Sequence, residues 1–77
     1  MKAYVFIRVR PGKPRGLAGK VAEIAGVKAA YPCWGLPDII AQVEAESETL
    51  LENLVLGQVQ AVEGVIETDT HVAVRDQ

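Results

Sequence analysis

The residues of this chain that could do chemistry are few, and most sit in one turn and one strand. Cys33-Trp34-Gly35-Leu36-Pro37-Asp38 packs a glycine, a proline and an acid into four consecutive positions, the composition of a tight turn. Glycines in such a turn leave backbone N–H groups open to a carboxylate, and a single placed acid can pair with an ammonium. Gly35 and Asp38 together therefore meet both needs of a free amino acid, although both are also ordinary turn residues. The one histidine, His71, follows Asp69 and Thr70 near the C-terminus. Catalysis would require a nucleophile with a base, a pair of carboxylates in contrasting environments, or a metal cluster. A lone histidine and a lone cysteine supply none of these, and Cys33 beside Trp34 reads as a packed thiol. Enzymatic activity is disfavoured. A small dimeric α+β barrel enzyme, with His71 as its polar group, remains an alternative because such enzymes need few polar residues.

The elements that position these residues follow from the apolar spacing. In Ala3 to Arg10, Val5, Ile7 and Val9 point one way and Tyr4, Phe6 and Arg8 the other, which is a strand with two greasy faces. One face is expected to take helices and the other to meet a second subunit. Pro11-Gly12 ends the strand. Leu17, Ala18, Val21, Ile24 and Ala25 recur at helical spacing from Pro14 to Ala25, and Gly26 stands where a helix stops. Val27 to Trp34 forms the next strand, placed at a sheet edge because Pro32 cannot donate to a ladder. After the turn, Asp38 to Glu44 sends Ile39, Ala41 and Val43 to one face and Ile40, Gln42 and Glu44 to the other. Ser47 caps a second helix, with Glu48 in its first turn and Leu51, Leu54, Val55, Val59 and Val62 as its stripe, running to about Glu63 with Gly57 inside. Gly64 then repeats the role of Gly26. Val65 to Arg75 is the last strand, with Ile66, Thr68, Thr70, Val72 and Val74 facing the helices and Glu67, Asp69, His71 and Ala73 on the open face.

Strand, helix and a Gly-Val pair occur twice in the same order, giving βαββαβ. Right-handed crossovers close this order into a ferredoxin-like α+β fold: four antiparallel strands with two helices on one face. Seventy-seven residues make one domain, 1–77, and a chain this short leaves much of its surface exposed, which favours self-association. The formal charge of −2, with basic residues scattered apart from Arg8, Arg10, Lys13 and Arg15, is a poor footprint for nucleic acid. That cluster could hold a small anion, but a solvated strand end and loop is the plainer reading. One cysteine excludes an intrachain disulfide and a paired-cysteine metal site, and no cofactor is expected. With no apolar run near membrane-spanning length and no signal-peptide pattern, the chain is expected to be soluble, reduced and cytoplasmic.

These residues also resemble a family. Tyr4-Val5-Phe6-Ile7-Arg8-Val9 with Pro11-Gly12, Gly26-Val27 leading to Gly35-x-x-Asp38-Ile39-Ile40, and Gly64-Val65-x-x-Thr68-x-Thr70 are similar to the C-terminal effector (RAM) domain of the Lrp/AsnC transcription regulators. The resemblance spans essentially the whole chain and implies the same fold, without the helix-turn-helix domain that full-length members carry. It implies a stand-alone effector domain that pairs through its sheets into homodimers of the dimeric α+β barrel kind. Those dimers would build higher oligomers such as octamers and bind an amino acid in a cleft between dimers. Carried over by position, Gly35, Leu36 and Asp38 would line that cleft, with Asp38 near the ammonium and Thr68 and Thr70 contributing from the last strand. Trp34 stands where the family usually has threonine and Pro37 stiffens the turn, so a different ligand or a closed pocket would follow. A closed pocket would leave a purely structural oligomerisation domain. A full-length family regulator is an implied partner. The ACT domain shares the element order, but the Gly35-x-x-Asp38 turn and the Thr68-x-Thr70 pair favour the RAM resemblance.

Overall fold

The computed structural model describes residues 1–12 and 14–74. The expected order is present as β1 (Lys2–Val9), α1 (Pro14–Ala22), β2 (Val27–Pro32), β3 (Ile39–Glu44), α2 (Glu48–Leu54) and β4 (Val65–Val72). The strands form one antiparallel sheet in the order β2-β3-β1-β4, so the proline-bearing β2 does lie at an edge. Alternation divides the sheet as its sequence requires. Ala3, Val5 and Ile7 of β1 and Ile39, Ala41 and Val43 of β3 are completely buried beneath Ala18 and Val21 of α1 and Leu51 and Leu54 of α2. The fold is the ferredoxin-like α+β arrangement, with both helices on this face.

Several boundaries differ from the sequence pattern. The first helix ends at Ala22 rather than Ala25, because Glu23 and Ile24 donate to Lys20 and Val21 three residues back and tighten the final turn. Strand β2 stops at Pro32, short of Trp34, and β3 begins at Ile39, one residue after Asp38. The second helix is α-helical only to Leu54. Val55–Val59 form a π-helical turn closed by a Gln60 N–H to Val55 carbonyl bond of 2.9 Å. In an unbroken α-helix Val59 would lie about 80° around from Leu51. The wider turn reduces the rotation per residue, and Val59 is completely buried. Strand β4 ends at Val72; Arg75, and Lys13 of the basic cluster, lie outside the described residues.

The two halves are tied in the same way. Gly26, at φ +97°, accepts from the Glu44 N–H through its carbonyl, and Gly64, at φ +104°, accepts likewise from Arg10. A Cβ on Gly26 would meet Leu54 Cδ2 at 3.1 Å and the Glu44 carbonyl oxygen at 3.3 Å, so a side chain there is strained by its conformation and also needs its neighbours to give by a few tenths of an ångström. Gly26→Ala is expected to cost about 1–3 kcal/mol. A lower urea midpoint at unchanged denaturant slope checks this.

Candidate functional site

The turn after β2 is held at three points. The Cys33 N–H donates to the Asp38 carbonyl at 2.7 Å, and the Asp38 N–H donates to the Ile7 carbonyl at 3.0 Å. The Val9 N–H donates to Asp38 Oδ2 at 2.9 Å. The β1–β3 ladder ends at the Ile7–Ile39 pair, and β1 shifts register against β4 between Arg8 and Val9. Val9 thus presents its N–H where no strand remains to accept it, and the carboxylate of Asp38 takes the place of the missing carbonyl. One oxygen of Asp38 is therefore committed to the fold. Gly35, at φ +88°, turns the chain, and a cis Leu36–Pro37 peptide follows.

Leu36 and Pro37 come down beside the open face of the sheet, where they border a cleft of about 250 Å³ with Phe6, Arg8, Glu67 and Asp69. These four residues follow from register, since Phe6 is opposite Asp69 and Arg8 is opposite Glu67. Arg8 Nη1 is 3.1 Å from Glu67 Oε1, an exposed ion pair. Asp69 Oδ2 is 3.0 Å from His71 Nε2, and the His71 ring lies 4.8 Å from that of Phe6 between centroids. The cleft combines apolar walls, a guanidinium with N–H groups to spare and two carboxylates.

The residues singled out from sequence do not all converge. Trp34 is fully exposed and Leu36 is 74% exposed, so the indole closes no cleft of its own chain. Thr68 and Thr70 pair with Ile7 and Val5, which fixes them on the helix side of β4. There Thr68 Oγ1 accepts from Gln60 Nε2 at 2.7 Å. Thr70 borders a second groove, of about 340 Å³, with Leu51, Val55, Leu56 and Val72. The turn overhangs the opposite face. Of these residues only Arg8 stands out in the sequence, as part of the basic cluster, though the alternation of both strands already puts Phe6, Arg8, Glu67 and Asp69 on the open face.

His71 is on the open face as expected, and its partner is Asp69. The Cys33 thiol donates to the Tyr31 carbonyl at 3.5 Å and is half-buried. Among the described residues no group of three or more His, Cys, Asp or Glu could hold a metal ion, and no helix is long and apolar enough to cross a membrane.

Residues 2–76 match the model of the Lrp/AsnC ligand binding domain. An uncharacterised HTH-type transcriptional regulator of Pyrococcus furiosus is 33% identical over 70 residues, covering 91% of this chain and 47% of the relative. The chain thus spans about half the length of that curated relative. A crystal structure of a Thermus thermophilus protein superposes with a TM-score of 0.90 at 30% identity, covering 99% of this chain and 95% of the other. A transcriptional regulator of Neisseria meningitidis, solved as its L-Met complex, superposes at 0.84 with 17% identity, over 97% of this chain and 50% of that one. At that identity the likeness speaks for the fold.

Proposed function

The chain belongs to the Lrp/AsnC ligand-binding domain family, and from that premise we propose that it is an oligomeric amino-acid-sensing module with no catalytic activity of its own. The observation that carries this reading is the split of the candidate residues between two faces. Trp34, Gly35, Leu36 and Asp38 lie at the turn, while Thr68 and Thr70 project on the helix side. A single cleft using both sets takes the turn from one copy and the threonines from another, so ligand binding and assembly are linked. Copies pair through the open sheet face, where Tyr4 and Tyr31 are exposed apolar surface, and the pairs assemble further. Asp38 keeps one carboxylate oxygen for the ammonium, and N–H groups of the turn take the carboxylate. The module acts on a full-length regulator of the same family by co-assembling with it or by competing for its ligand.

A thermal-shift screen against the twenty amino acids tests this. A ligand at a hundred times its dissociation constant stabilises by about 2.7 kcal/mol, which for a domain of this size is roughly 10–20 °C. No shift with any amino acid at millimolar concentration would remove the sensing role. Full exposure of Trp34 favours one second reading, an oligomerisation domain in which the indole fills the cleft between copies. In that case Trp34→Thr creates a ligand-induced shift that the parent lacks.

A further inference from the structure

The groove between α2 and β4 is apolar along its floor and acidic along one rim. Leu51 and Val55 of the helix and Val72 of the strand make the floor of a space of about 340 Å³, and Glu48 and Glu52 stand on the helix rim. Positions 48, 51, 52 and 55 follow the three-and-four spacing of a single helix face, so the acids share the stripe that carries the apolar wall. Both acids are exposed, and among the described residues neither is paired with a cation. Like charges four residues apart on a helix repel. The facing strand offers the pair Thr70 and Val72, neither of which compensates a carboxylate.

The groove also has a direction. Gln60, just past the helical segment, bonds Thr68 at 2.7 Å, so the helix arrives at the end of the sheet from which β4 departs. Moving along the strand from Thr70 to Val72, about 6.8 Å, therefore climbs the helix from Val55 toward Glu52 and Glu48. We propose that this groove receives the effector's side chain and selects a basic amino acid with an aliphatic stem, lysine in the simplest case. This rests on the sensing reading above, in which Thr68 and Thr70 of one copy and the turn of another share the ligand. With the α-carbon of lysine beside Thr70, its four-carbon stem lies over Val55, Leu51 and Val72 and covers about that distance. Its ammonium ends at Glu52 and Glu48, where charge-assisted hydrogen bonds replace mutual repulsion. An apolar amino acid of equal length would instead desolvate two carboxylates against its methyl end without supplying a partner. An acidic one would add a third like charge. Selection thus comes from exclusion as much as from attraction.

Isothermal titration of the whole chain with L-lysine and with L-norleucine, which has the same stem without the ammonium, tests the assignment. Lysine is expected to bind at least tenfold more tightly. Glu48→Gln/Glu52→Gln is expected to lower that preference at least tenfold, and Glu52→Gln alone is to be read if loss of the first-turn charge at Glu48 melts α2. Circular dichroism confirms that each variant is folded. Norleucine binding as tightly as lysine, binding of other amino acids but not lysine, or a preference indifferent to Glu52→Gln would overturn the proposal and leave the sensing reading standing. Binding of no amino acid at all would remove both.

Discussion

Ile7→Ala is expected to destabilise the domain by about 2–5 kcal/mol, the range for removing a fully buried branched side chain and leaving a cavity. Domains of this length have roughly 4–12 kcal/mol in total, so the variant will be partly unfolded at body temperature if the parent lies near the lower bound. Ile7 is completely buried at the centre of the sheet, opposite Ile39 on one side and Thr68 on the other. Its carbonyl also receives the Asp38 N–H, so collapse around the cavity is opposed by the backbone that anchors the turn. Urea unfolding of Ile7→Val and Ile7→Ala should give a graded series, with the smaller deletion costing about 0.5–1.5 kcal/mol. A loss below about 1 kcal/mol for Ile7→Ala would mean that the site relaxes freely.

The second large effect concerns Asp38. Asp38→Ala leaves the Val9 N–H without its acceptor and is expected to cost about 1.5–3 kcal/mol, the range for a hydrogen bond to a charged group. Asp38→Asn retains an acceptor oxygen and should recover most of that loss. The two variants separate scaffold from recognition. If Asp38 also meets an effector's ammonium, Asp38→Asn will be nearly as stable as the parent and still fail to respond to the amino acid that shifts it. Amide exchange at Val9 is the direct readout of the first role, faster in Asp38→Ala and near the parent rate in Asp38→Asn.

Much of this molecule could be read from local pattern. Gly26 and Gly64 each sit at positive φ directly before an extended valine, so the restart of the chain is legible, although the helices themselves end earlier, at Ala22 and Val59. Pro32 assigns β2 to an edge for a reason internal to that strand. The alternation of β4 is enough to set His71 on the open face and Thr68 and Thr70 on the other. What stayed hidden depends on residues far apart in sequence. Asp38 reads as a turn acid with a free carboxylate, but one oxygen is engaged by Val9, 29 residues away. Arg8 and Glu67 are 59 residues apart, and only the β1–β4 register turns two scattered charges into one side of a cleft. The turn reads as the natural centre of a site, while its most conspicuous member, Trp34, points away from the chain altogether. Nor does an α-helical stripe that includes Val59 announce a change of helical pitch after Leu54.

That change of pitch gives the second helix a seam. A π-helical turn accommodates one residue more than an α-helix would over the same span, so deletion of a single residue from Val55–Val59 can be absorbed as continuous α-helix. Regularising the helix without such a deletion would instead carry the following chain about 1.5 Å further and about 100° out of phase. Gln60 would then swing away from Thr68, which it now reaches at 2.7 Å. Chain length in this segment is thereby coupled to β4: a variant that regularises the helix must also re-seat the strand that bears Thr68, Thr70 and the sheet edge.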